Sequence, residues 1–141
     1  MSYTEPLQQT LHNTGINYGD AAADVVATEV GGMPIQIHAL GAVVTTAFVT
    51  STSLKFGLDI TDKDRVTEST SELTCSIPNG AAVGAIIITR ATAEGLVVDP
   101  GGFFTITIAT QGVGSAGIAK PFVLWRYSPR GDLSNVTAVT A

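Results

Sequence analysis

The sequence predicts an all-β protein: an antiparallel β-sandwich or jelly roll of about eight short strands behind an extended N-terminal arm. Three observations predict it. Apolar residues recur with a period of two from Pro34 onward, the runs are short, and Gly, Pro, Asn and Ser punctuate them. No long helical pattern interrupts these runs, which argues against a parallel α/β sheet.

The expected organisation is an arm over residues 1–20 and a β-domain over residues 21–141. The arm is polar and carries Pro6, Gly15 and Gly19, with isolated apolar residues at Leu7, Leu11 and Ile16 and a tyrosine at Tyr18. Such a segment gains order by lying on something else. Ala21 to Val30 places apolar residues at Ala22, Val25, Val26 and Val30, a spacing that predicts a short amphipathic helix stopped by Gly31-Gly32.

Strands follow. Pro34 to His38 alternates, and Gly41 to Thr50 is almost wholly β-branched or small. Leu54, Phe56, Leu58 and Ile60 form one face of a strand, as do Leu73, Cys75 and Ile77 in the next. Pro78-Asn79-Gly80 ends that run in a turn. The three consecutive isoleucines of Ala85 to Arg90 predict a strand covered on both faces. Leu96 to Val98 runs into the turn Asp99-Pro100-Gly101-Gly102, and Phe104, Ile106 and Ile108 alternate with threonines. Phe122 and Leu124 oppose Val123, Trp125 and Tyr127 in parity, and Val136 to Val139 reads as a closing strand.

Composition bounds the function. The 141 residues carry 45% hydrophobic side chains, enough for a core without metal or disulfide. Only 13% are charged, about half the usual globular fraction of roughly 25%, so the surface reads either as one covered by other subunits or as the hydroxyl-rich surface of a plain β-domain, since exposed strand positions favour Thr. The net charge of -5 and seven scattered basic residues argue against nucleic acid as a partner. Cys75 is the only cysteine, and its parity with Leu73 and Ile77 makes it a small core residue with a suppressed thiol. The N-terminus lacks a basic start and an apolar run, so no signal peptide is expected, and no stretch approaches the ~18 apolar residues of a transmembrane helix. The protein is expected to be made in a cytoplasm and to have no membrane partner.

The motifs reduce to structure. Gly112 to Gly117 matches G-x-G-x-x-G, but Ile118-Ala119-Lys120-Pro121 cannot start the helix that would hold a pyrophosphate, so it is a loop. Ser115 lacks the flanking glycine of a nucleophile elbow. His12 lies in the arm, and His38 opposes Ile35 and Ile37 in parity, so no catalytic base is in place and no enzyme is expected. Asp59, Asp62, Asp64, Glu68 and Glu72 gather around the loop Thr61 to Ser71, where oxygen ligands suit Ca²⁺. Lys63 and Arg65 lie between them, and the spacing is irregular, so a solvated loop, or one forming salt bridges to a neighbouring subunit, is favoured and no cofactor is expected. Arg130-Gly131-Asp132 and Asn135-Val136-Thr137 are short matches that a turn and a cap explain. Trp125 and Tyr127 share a face with Arg126 beside them; this is either a sugar platform or, as favoured here, a subunit interface.

Several segments together carry a resemblance: Gly32 to Ile37, Thr45-Thr46-Ala47, Ile77 to Gly84, Val98 to Gly102 and Val123 to Pro129. Across residues 31–129 the chain resembles small virion structural proteins of tailed bacteriophages, most of all capsid decoration (cement) proteins. The resemblance implies a β-body at a junction of the major capsid lattice, usually a homotrimer, on the outer surface of the virion. It implies that the arm, with Leu7, Leu11, Ile16 and Tyr18, clamps neighbouring capsid subunits, and that each copy helps the shell resist internal pressure. A tail or baseplate β-domain binding host glycans through Trp125 and Tyr127 is the alternative, and a Ca²⁺-dependent module a third.

Overall fold

A computed structural model describes residues 8–11, 15–50, 54–61, 67–91 and 96–127. Its strands are β1 (Gln8–Leu11), β2 (Ile16–Asn17), β3 (Asp24–Glu29), β4 (Ile35–Val49), β5 (Lys55–Thr61), β6 (Thr67–Ser76), β7 (Ile86–Arg90), β8 (Leu96–Val98), β9 (Phe103–Thr110) and β10 (Ala116–Tyr127). The described residues contain no helix.

Two antiparallel sheets form a β-sandwich, as the alternation predicts. The six-stranded sheet runs β1-β10-β4-β7, with β2 continuing beside β10 and β8 beside β4; the four-stranded sheet runs β3-β9-β5-β6. Between them lies one core, in which Phe48, Phe56, Leu40, Leu54 and Leu58 are essentially inaccessible. The one-sided strands are those whose parity is cleanest: Phe104, Ile106 and Ile108 face inward from β9, while Leu73 and Cys75 do so from β6. At Asp99 to Gly102 the chain reverses with Gly102 N–H donating to the Asp99 carbonyl at 2.9 Å. Pro100 and a positive φ of 86° at Gly101 make this a type II turn.

Several expectations change. The predicted helix over Ala21 to Val30 is strand β3, which pairs with β9 from Asp24↔Thr107 to Glu29↔Phe103. Val25 and Thr28 are stiff at χ1 and suit the pleated surface that β9 offers. The short runs at Pro34 and Gly41 are one strand of 15 residues, β4. A bulge lets it stay continuous: Leu124 pairs with Ala39 and Trp125 with Ile37, which leaves His38 as the extra residue. The loop expected over Thr61 to Ser71 is shorter, because β6 begins at Thr67.

Strand β7 is not covered on both faces. It is an edge strand in which Ile87 packs on the core while Ile86 and Ile88 are 61% and 41% exposed. Two stretches of the expected arm, β1 and β2, pair with β10 of their own chain, Leu11 opposite Phe122 and Ile16 opposite Ala119. Pro121 falls between the stretches of β10 that β1 and β2 pair with, so its missing N–H interrupts neither ladder. The expected strand at Val136 to Val139, the motifs at Arg130 and Asn135, and His12 lie outside the described residues.

Candidate functional site

The aromatic pair is placed by the end of β10. Trp125 pairs with Ile37 and Tyr127 with Ile35, so both share the core-facing side of the sheet where the sandwich opens. Their rings meet edge to face, 5.1 Å apart at 87°, a favourable arrangement of ring edge on ring face. Trp125 is half-buried against the core, and Tyr127 is 37% exposed. Across from them the β3–β4 connection supplies Gly31, Gly32 and Met33, and β3 supplies Glu29. Without side chains at the two glycines an open cleft of about 350 Å³ remains, floored by Phe104 and Ile35. The aromatics were legible in the sequence as a shared face. The glycine half of the cleft was not, because only the fold brings it there.

The structure gathers the other sequence candidates along β10 too. Tyr18 donates its backbone N–H to the Gly117 carbonyl at 3.0 Å and packs on the core. Ile16 is itself a core side chain at 1% exposure. Leu7 lies outside the described residues.

Arg126 stands on the opposite, outward side of β10, opposite Gln36. Its Nε and the Nε2 of His38 are covered and make no hydrogen bond among the described residues. Burial, and then the Arg126 guanidinium, push the His38 pKa below its ordinary value, so the imidazole is neutral near pH 7. Outward from the same sheet lie two cross-strand rows, Ile86-Val43-Lys120 and Ile88-Gly41-Phe122. A third row, Arg90-Ala39-Leu124, flanks them. Sequence reasoning missed this face: three identical isoleucines carry no parity signal that shows which of them points out.

Cys75 is buried, its Sγ 3.1 Å from the Leu40 carbonyl and 3.3 Å from the Thr89 hydroxyl, which donates to the Thr74 carbonyl at 2.7 Å. Burial pushes the thiol pKa up, which keeps it protonated, as its parity predicted. On the four-stranded sheet the Thr107 hydroxyl lies 3.0 Å from Asp24 and 3.4 Å from Asp59. Among the described residues no three His, Cys, Asp or Glu side chains converge on a metal position; Asp62 and Asp64 lie outside them.

No family model matches the chain, and no curated protein does. Among solved structures it is similar to one described as the structure of infectious bursal disease virus Gt strain, at 10% identity and a TM-score of 0.28. That overlap covers 96% of this chain and 42% of the viral one. At such a TM-score the likeness defines neither a common topology nor a common role.

Proposed function

We propose that this chain is a virion structural protein that decorates the outer surface of a tailed-bacteriophage capsid. In this reading it bridges subunits of the major capsid protein and works by binding, with no catalytic step and no cofactor. The observation that carries it is the outward face of the six-stranded sheet. Ile86 and Ile88 stand exposed on an edge strand, beside Val43 and Leu124. An apolar edge of this kind is an aggregation hazard for a free monomer and is suited to a subunit whose surface ends up covered. The low charge content and the likeness of residues 31–129 to decoration proteins support the same reading.

Antibodies raised against the purified chain test it. They are expected to label intact particles of the virus that encodes it, seen by immunogold electron microscopy. Label only on disrupted particles would move the protein inside the shell, and no label on either would sink the reading.

The aromatic cleft favours a second reading, a tail or baseplate domain that binds host glycans. Trp125 and Tyr127 offer ring faces to sugar C–H groups in a cleft that Glu29 also lines. Trp125 is the single tryptophan, so its fluorescence reports on the cleft directly. On this reading a panel of oligosaccharides includes one that shifts the emission saturably, and Tyr127→Ala weakens that response about tenfold or more, the loss of roughly 1.4 kcal/mol of contact. An unmoving spectrum across the panel removes it.

A further inference from the structure

We infer that copies of this chain associate head to tail, the outward face of the six-stranded sheet in one copy seating on the outward face of the four-stranded sheet in the next. This rests on reading the chain as an assembly subunit, and it specifies which faces meet. The observation behind it is that charge segregates by sheet. The strands β1, β2, β4, β7, β8 and β10 contain no aspartate or glutamate, yet they carry Arg90, Lys120 and Arg126. The strands β3, β5, β6 and β9 hold Asp24, Glu29, Asp59, Glu68 and Glu72 against the one cation Lys55. A protein of net charge -5 thus presents one face that is apolar and cationic and one that is acidic.

Side-chain parity places Arg90, Lys120, Asp24, Glu29 and Asp59 on the outward surfaces. Ala119 and Val123 are in the core, so Lys120 between them points out, in the row of Val43 and Ile86. Arg90 is exposed in the row of Ala39 and Leu124. On the other sheet Phe104, Ile106 and Ile108 are inward, so Phe103, Thr105 and Thr107 are outward; Glu29, Asp59 and Asp24 pair with or hydrogen-bond to them. Asp24 and Glu29 are exposed.

Joining two like faces would set Arg90 and Lys120 against their own copies, or carboxylate against carboxylate. Joining unlike faces puts each cation near a carboxylate and covers Ile86 and Ile88 with the methyl groups of Thr105 and Thr107. Among the described residues the covered Nε of Arg126 has no hydrogen-bond partner, and no acid lies on the strands of its sheet to neutralise the guanidinium. A contact between unlike faces is heterologous: it closes into a ring when the rotation permits and otherwise propagates as a filament. Charge matching at such a contact sets partner choice and register.

The experiment is a charge swap read by light scattering after size exclusion. Wild-type chain is expected to form an oligomer that dissociates at least tenfold more readily at about 500 mM than at about 50 mM salt, because screening shortens the reach of exposed charges. The R90E/K120E and D24K/E29K variants, all at exposed or half-exposed positions, should each be monomeric. Mixing the two should restore an assembly, since one variant then supplies an unchanged acidic face and the other an unchanged cationic one. Wild-type chain that stays monomeric, or an oligomer that ignores both substitutions and salt, overturns the inference. So does a mixture that fails to reassemble although each variant melts like wild type. A wild-type monomer that still labels intact virions would leave the decoration reading standing while removing this contact.

Discussion

Phe48→Ala is expected to destabilise the protein by about 3–5 kcal/mol, the range for deleting a buried aromatic side chain. That is a large part of the 5–15 kcal/mol that holds a domain together. Phe48 is 1% exposed near the end of β4, and its ring is packed against the backbone of β10 at Gly117. Gly117 is the position where the β4–β10 register slips, between the pairs Ala116↔Val49 and Ile118↔Thr46, and it has a φ of 149°. A β-carbon there would sit 2.6 Å from Cγ of Phe48. Gly117→Ala therefore combines overpacking, typically about 1–3 kcal/mol, with a backbone conformation that costs an L-residue about as much again.

The two substitutions are coupled. With the Phe48 ring gone, a β-carbon at position 117 enters space the ring had filled, so only the backbone strain remains. The double variant should be less destabilised than the two singles predict together, by about 1–3 kcal/mol in a double-mutant cycle from urea unfolding. Strict additivity would mean that the ring does not dictate glycine at 117, and the account of the bulge would fail with it.

The pair also shows where sequence reading stops. Phe48 lies in a run legible as a strand, and Gly117 in a segment legible as a loop; nothing local says that one needs the other. The strands of the four-stranded sheet were legible where one face is wet and one dry, because Phe104, Ile106 and Ile108 then alternate with threonines. Strand β3 was not, because Ala22, Val25, Val26 and Val30 fit a helical stripe as well as a strand. Pairing with β9, which no local spacing reveals, decided it. The bulge at His38 hid β4 in the same way. Ile37 and Leu40 both face the core with two residues between them, which breaks the period of two that reads as a single strand. Of the cleft, the aromatic half was legible and the glycine half was not. The cationic face needed the sheet order itself, since its charges come from strands far apart in sequence.

Gly41→Ala is expected to be the most damaging single methyl on the outward face, at about 2–3 kcal/mol or more. Gly41 sits at the middle of the six-stranded sheet, opposite Phe122 on one side and Ile88 on the other. Phe122 turns outward with the end of its ring over the bare glycine, and the residue is 4% exposed. A β-carbon at position 41 would meet that ring and would sit 2.6 Å from the Ile87 carbonyl oxygen. The ring can swing away, at the cost of exposing an aromatic side chain. The carbonyl cannot, because it belongs to the backbone of β7, so the edge strand has to move. Amide hydrogen exchange across Ile86–Arg90 should therefore quicken more than exchange in β5 or β9, alongside a lower melting temperature. Since Ile86, Ile88 and Arg90 all ride on β7, the same substitution should weaken self-association without changing any charge. A Gly41→Ala chain that melts like wild type, with β7 amides equally protected, would show that β7 is not held by this contact. The geometry otherwise makes one bare Cα the condition for both the packed aromatic above β4 and the position of the edge beside it.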